Sequence, residues 1–434
     1  MRRIAWLLLL LFVFTIPWEY SLDLGAPFGN VARFAGLLLL LAAIPAILQT
    51  GRIRVFSTLH WMILALFLWF CCTGFWTIDS LATLAQIRGF FQVIMIVWLV
   101  WEFAETPWDL RMILRAWVAG SWVLAILTLA NFSSPEAIAA GQYRFAAYGQ
   151  DPNDVARFLD LGFPLAALLA NSESRWPQRL MDRMLALGYL PLGFVAVLLT
   201  ASRGGFLAAV VSLVGCGLLL ARGHAKAVLA AAFVLPAFAT ALWLLIPHEV
   251  FTRLATIPQQ LESGDLNQRF NIWSAGWHAF SRAPLLGTGV GTFVNAAGLS
   301  SIDTAHNTAL SILVGGGLVA LFLATVVVVL VARSILATQG SLRLALVVSL
   351  LVWAVTSLVA TVEESRTTWL LFAVVALAGR LAAENPVTLA EAFPDGGHAP
   401  PVSGFALKGH GFSRADEGKE RIGALAPEGH SNRS

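Results

Sequence analysis

The chain has 434 residues, of which 58% are hydrophobic and 12% charged, with a mean hydropathy of +0.75. That balance excludes a string of soluble domains. Backbone in lipid must satisfy its own hydrogen bonds, so repeated apolar runs of about 20 residues read as membrane-spanning helices. The net charge of +3 is weak, no soluble nucleotide domain is visible, and no nucleic-acid partner is expected.

Met1-Arg-Arg and the apolar stretch from Ile4 to Ile16 imitate a secretory signal. No small-x-small cleavage site follows in Pro17-Trp-Glu-Tyr, so a retained first helix is expected. Apolar runs then lie near 4–18, 31–48, 56–76, 81–101, 110–131, 154–170, 184–200, 204–221, 227–246, 307–332, 343–361 and 367–383, about twelve helices by length. Sixteen Trp against four Tyr fits rings at the membrane interface. Cys71, Cys72 and Cys216 sit within apolar runs, where they form neither a disulfide framework nor a zinc site.

Arginine and lysine favour cytoplasmic connections. With Arg2 and Arg3 inside, the inner connections hold Arg52/Arg54, Arg111/Arg115, Arg175/Arg179/Arg183, Arg222/Lys226, Arg333/Arg343 and Arg380. The outer ones hold Glu19/Asp23, Asp79, Asp151, Glu249/Glu262/Asp265 and Glu363/Glu364. Only the connection at 102–110, with Glu102 and Glu105, departs from the pattern. The division is therefore helices one to nine over 1–246, an outer loop over 247–305, three more helices over 306–383, and a tail over 384–434. The tail, rich in Gly, Pro, His and charge, is expected to be disordered and cytoplasmic. A loop as long as 247–305 is uncommon unless it works, which points to the catalytic loop of a membrane enzyme.

Basic residues on the outer face break the topology rule and so attract attention. Arg203 lies in Thr200-Ala-Ser-Arg-Gly-Gly205, where adjacent glycines allow a sharp turn and a close ligand approach, and where amides at a helix start bind anions. A snorkelling arginine at a helix end is the alternative. Arg269 falls beside a stripe of Phe270, Trp273, Trp277 and Phe280 at helical spacing, as on an interfacial amphipathic helix. At head-group depth it suits a lipid-linked phosphate; pairing with anionic lipid is the alternative. His306 opens the tenth helix, where it serves as a base near neutral pH or as a cap. Arg144 and the turn Asp151-Pro-Asn153 are further outer candidates, and Arg88, Asn153 and Asn307 are candidates for lining a substrate cavity. Arg157 and Asp160, three apart in an apolar run, are spaced to pair. Gly287-Thr-Gly-Val-Gly291 follows no strand and reads as a turn rather than a nucleotide loop. No acidic and histidine residues have metal-ligand spacing, so neither metal nor cofactor is expected.

Taken together, Thr200-Ala-Ser-Arg-Gly-Gly205, Arg269 with Ile272-Trp273, Ala283-Pro-Leu-Leu-Gly-Thr-Gly289, Ala305-His-Asn307 with Gly317, and Asp151-Pro-Asn153 resemble the bacterial O-antigen ligase/polymerase family over about 140–320. The resemblance implies an all-α, polytopic, GT-C-like glycosyltransferase fold in the bacterial inner membrane, with its site facing the periplasm. It implies a glycan donor on undecaprenyl pyrophosphate, with lipid A-core or a growing glycan as acceptor and membrane lipids around both. It also implies that Arg203, Arg269 and His306 are essential, with Arg203, Arg269 and Arg144 meeting the donor pyrophosphate. A single large outer loop favours ligation to lipid A-core. The rivals are a polymerase of the same family and, from another class, a transporter, which charges gathered at one face beside a large loop do not suit.

Overall fold

The computed structural model describes residues 1–139, 142–171, 178–221, 238–262, 269–300 and 304–394, and these are helical throughout, with no strand among them. The helices used below are α1 (Arg2–Thr15), α2 (Val31–Thr50), α3 (Thr58–Thr73), α4 (Ser80–Phe103), α5 (Pro107–Phe132), α6 (Pro152–Ala170) and α7 (Gln178–Leu199). There follow α8 (Arg203–Ala221), α9 (His248–Ala255), α10 (Arg269–Arg282), α11 (Thr308–Ala337), α12 (Gly340–Ser357) and α13 (Arg366–Glu384). Nine helices among the described residues are long and apolar enough to cross a membrane, the architecture of a polytopic membrane protein. Three of the expected spans are not among the nine. α3 has 16 residues, and α6 carries Asp154, Arg157 and Asp160. The run at 227–246 is described only from 238 onward, and the expected tail only as far as 394.

Two helices form the centre. α6 buries every residue from Val155 to Ala170, and α13 every residue from Thr367 to Ala382. A helix that is apolar on all sides belongs inside a protein or a bilayer. α6 is wrapped by α5, α7, α8 and α12, and α13 lies against α4 and α11. The charges of α6 therefore face protein, which is how ionisable groups are tolerated at such depth. Arg157 pairs with Asp154 at 3.1 Å and not with Asp160, the partner expected from the sequence. One turn back, Asp154 sits in the first turn of the helix, whereas Asp160 is wholly buried.

Polar contacts between distant segments gather at two ends. At one, Arg2 bonds Glu102 and Glu105, Arg115 grips Asp182 at 2.6 and 2.8 Å, and Arg380 donates to the Trp101 carbonyl at 2.9 Å. At the other, Arg366 pairs with Glu19, Asn295 donates to Asp79 at 2.5 Å, and Ser311 donates to Glu363 at 2.5 Å. These are the two sets of connections that charge alternation separates. The sparse link at 102–110 belongs with the arginine-rich set, because its Glu102 and Glu105 are the acceptors for Arg2.

One helix is broken. Within α11, Gly317 adopts φ 70°, ψ −168°, and the loop Pro284–Gly291 fills the gap. An unbroken helix would pair Leu318 N–H with the Val314 carbonyl and Val319 N–H with that of Gly315. Instead Leu318 donates to Pro284 (2.9 Å) and Val319 to Leu285 (3.5 Å), while Val314 and Gly315 accept from Thr288 and Gly289, both at 2.9 Å. Trp69 completes the exchange by donating to the Gly316 carbonyl at 2.8 Å. A break in a buried helix is tolerated only when the freed groups are paired again, and the glycine-rich turn does this.

Two measurements check this architecture. With the three native cysteines replaced, Ser281→Cys should react with an impermeant thiol reagent in intact cells, whereas Gln339→Cys should react only after disruption; the reverse pattern would invert the topology. Gly287 and Gly298 both hold positive φ, but a side chain at 287 would meet the Gly315 carbonyl at 2.4 Å, while one at 298 meets nothing within 4 Å. Gly298→Ala should cost roughly 1–2 kcal/mol and Gly287→Ala clearly more. Equal losses of melting temperature would show that the loop does not seat against the helix break.

Candidate functional site

The connection from α7 to α8 makes a sharp corner, but not on its glycines. Ala201 turns the chain with φ 48°, and among the described residues only it and His306 are non-glycine residues with positive φ. Such conformations cost free energy and persist where the surroundings impose them. Gly205 instead lets α8 approach α6, since a side chain there would meet Ala156 at 2.3 Å. Its amide donates to Ser202 Oγ at 3.2 Å. Asn153, in the first turn of α6, braces the corner: its Oδ1 accepts from Ser202 Oγ and from Arg144, both at 2.9 Å. Arg144 also donates to the Thr200 carbonyl at 3.2 Å.

Around this corner stand four half-buried arginines. Arg203 reaches Thr256 Oγ1 with Nε at 2.9 Å and a terminal nitrogen at 2.6 Å. Arg253 returns the contact, its Nε donating to the Ala201 carbonyl at 3.1 Å, with its guanidinium 5.9 Å from the Tyr143 ring centre. Arg269 opens α10. Burial, then the neighbouring Arg253 and, further down, Arg203 hold Arg144 below the usual arginine range, with Asp151 opposing. Burial and then Arg203 do the same to Arg269. Groups distant in sequence thus share one patch of positive potential, which is anion-binding chemistry. Arg253 received no role in the sequence analysis, although it too is a basic residue of the segment 247–305.

His306 comes just before α11, with φ 45°. The capping role belongs to Asn307: its Oδ1 accepts from the Leu310 amide at 2.9 Å and its Nδ2 donates to the Leu358 carbonyl at 3.3 Å. The amide of Asn307, a candidate cavity residue, is thereby engaged at both ends. His306 Nδ1 lies 3.3 Å from the Thr304 hydroxyl. α10 is tied to the same point, since Trp273 donates to the Ala305 carbonyl at 3.1 Å and Gly276 lets Leu310 and Phe293 close on the helix. The aromatic stripe of α10 is therefore divided: Phe270 and Trp277 are exposed, while Trp273 and Phe280 pack on the core of Ile272, Ala279 and Leu310. The buried face of α10 is lined by small residues that an aromatic count overlooks. Asp154, next to Asn153, lies within the electrostatic reach of His306, so the first turn of α6 borders both the arginine patch and the histidine.

Arg88 stands apart, on the exposed stripe of α4 shared with Leu81, Leu84 and Phe91. A glutamate before α13 is buried instead of exposed. Glu363 is 7% exposed, accepts from Ser311 Oγ at 2.5 Å and feels Arg157. The sequence places Glu363 and Glu364 in a connection, where a carboxylate is ordinarily solvated, and only the buried position of α13 brings Glu363 inside. Burial raises its carboxyl from 4.5 to about 7, against the Ser311 hydrogen bond. A raised acid stabilises the fold fully below its unfolded value and loses that contribution as pH rises through the folded one. The melting temperature of Glu363→Gln should therefore gain on wild type between about pH 4.5 and 7, by up to about 3 kcal/mol in stability. A difference independent of pH would contradict a buried, neutral Glu363.

Residues 188–325 match a family model described as O-antigen ligase, and no curated protein matches the chain. The matched segment takes in most of α7, the corner at Ala201, α8, Arg253, α10, the glycine turn, His306 and the break at Gly317. Over that segment the chain is similar to the O-antigen ligase family.

Proposed function

We propose that the protein is a metal-independent, inverting membrane glycosyltransferase that moves a glycan from undecaprenyl pyrophosphate to a sugar hydroxyl, with lipid A-core as the acceptor. In this reading it has twelve spans and a GT-C-like fold, lies in the bacterial inner membrane, and works on the periplasmic side with the 247–305 loop over the site. The observation that carries the proposal is the meeting of Arg144, Arg203, Arg253 and Arg269 around one corner, beside a histidine held in a left-handed conformation. Outside the cytoplasm no nucleotide supplies energy, so the donor must bring a good leaving group. A pyrophosphate fits that need, and forked guanidinium donors in a half-buried site suit the charge developing on it.

The reaction follows directly. The acceptor hydroxyl oxygen attacks the anomeric carbon as the carbon–oxygen bond to pyrophosphate breaks. The bonding pair leaves on the pyrophosphate oxygen, where Arg203 and Arg269 receive it with Arg144. The hydroxyl proton passes to the His306 imidazole, and attack opposite the leaving group inverts the anomeric centre. Asn153 acts on the arginines, by bracing Arg144 and Ser202, and not on the sugar.

Purified protein with lipid-linked donor and lipid A-core, in EDTA, tests these roles. Arg269→Lys keeps the charge but loses the fork, so transfer should fall steeply, whereas Arg282→Lys on the exposed face of α10 should leave it near wild type. His306→Ala should retain donor binding while transfer drops by roughly 10²–10⁴-fold. Near-native turnover of His306→Ala, or abolition of transfer by EDTA, would overturn the mechanism. In a deletion strain, long lipid-linked chains beside uncapped core would identify ligation, and core capped with single repeats would identify polymerisation instead.

A further inference from the structure

A groove of about 260 Å³ runs between α1, α2 and α4, on elements that contribute nothing to the arginine corner. Its walls are apolar, including Phe12, Leu40, Met95 and Leu99, and one end is polar, with Arg33, Gln92 and Arg366. Along α2 it extends from Ala32 to Leu40 and along α4 from Phe91 to Leu99. Eight residues of helix span about 12 Å, most of the roughly 15 Å depth of one leaflet. The polar end is the end that holds Glu19 and the 358–365 connection.

Arg33 is out of place by ordinary rules. It sits in the first turn of α2, where the helix dipole disfavours a cation, and on the face that positive charge usually avoids. Among the described residues its guanidinium makes no ion pair, whereas Arg366 is held by Glu19 and approaches Gln92 at 3.5 Å. One unneutralised cation above a slot one leaflet deep matches a lipid with a single phosphate charge. It does not match a glycolipid with several chains and phosphates.

We propose that this groove is a binding site for one acyl chain of a phospholipid with a net negative head group, such as phosphatidylglycerol, whose phosphate meets Arg33. The bound lipid fills the space behind Arg366 and Gln92 and so supports the connection that carries Glu363.

The test uses purified full-length protein equilibrated in micelles with equimolar phosphatidylglycerol and phosphatidylethanolamine, the retained lipid being weighed by native mass spectrometry. Wild type should retain phosphatidylglycerol by about fivefold over phosphatidylethanolamine, the effect of one cation at a membrane surface, and Arg33→Gln should bring the ratio to about one. Gly36 lines the groove against the Phe12 ring, so Gly36→Phe should expel the tightly held lipid of either kind. Gly217→Phe, where an added side chain meets nothing within 4 Å, controls for bulk and should not. Equal retention of both lipids by wild type, an unchanged ratio in Arg33→Gln, or a retained phosphorylated glycolipid in place of phospholipid would each overturn the proposal. Sugar transfer is not the readout, so failure of the proposed reaction would leave this result standing.

Discussion

The hydrogen-bond exchange at the break in α11 is the constraint on which the rest of the site depends. Four main-chain groups freed at Gly317 are recovered by the Pro284–Gly289 turn and a fifth by Trp69. This fixes the end of α10 against the first half of α11. From the other side, Trp273 ties α10 to Ala305, so Arg269 and His306 belong to one rigid piece. If the helix ran straight through Gly317, the turn would have no partners and α10 no fixed place. The glycines at 287, 289 and 317 are thus positional: backbone or side-chain atoms lie within 2.4 Å of where each side chain would begin.

A second piece comes from α6, α7 and α8. Asn153 and Ser202 lock the corner at Ala201, and the contact between Arg253 and the Ala201 carbonyl brings the segment at 253–256 to it. Gathering guanidiniums is unfavourable in an empty site, since each lowers the proton affinity of its neighbours. Arg144, Arg203 and Arg253 are held because they donate to oxygens of the fold itself, the Thr200 carbonyl, the Thr256 hydroxyl and the Ala201 carbonyl. An anion arriving there meets donors already oriented, and so avoids much of the ordering cost of binding.

What the sequence reveals depends on whether a residue acts through chemistry or through packing. Arg203, Arg269 and His306 stand out in the sequence because they break the expected alternation of charged connections. The division into two polar ends is legible for the same reason. The break at Gly317 is not: its run from Thr308 to Ala337 is among the most apolar in the chain, and its cause lies in a loop some thirty residues earlier. The buried face of α10 is hidden because Gly276 and Ala279 carry little hydropathy, so the aromatic residues suggest a single outward stripe. Glu363 is ambiguous because a carboxylate beside a turn is normally solvated, and only the central position of α13 removes it from water.

The burial of α6 has a consequence for how the protein is made. On insertion scales a charged residue at the centre of a span costs roughly 2.5–3.5 kcal/mol, and α6 carries Asp154, Arg157 and Asp160 within seven residues. Its own greasiness is poor insurance for a stable place in the bilayer during synthesis. Its neighbours in the chain are also its neighbours in space: α5 receives the segment before it through Asn131 and Ala146, and α7 follows with Tyr189 bonded to the Leu159 carbonyl at 2.7 Å. The ribosome therefore delivers α5, α6 and α7 in the order in which they shield one another. The helix least suited to lipid is thus made between two of the helices that cover it in the folded protein.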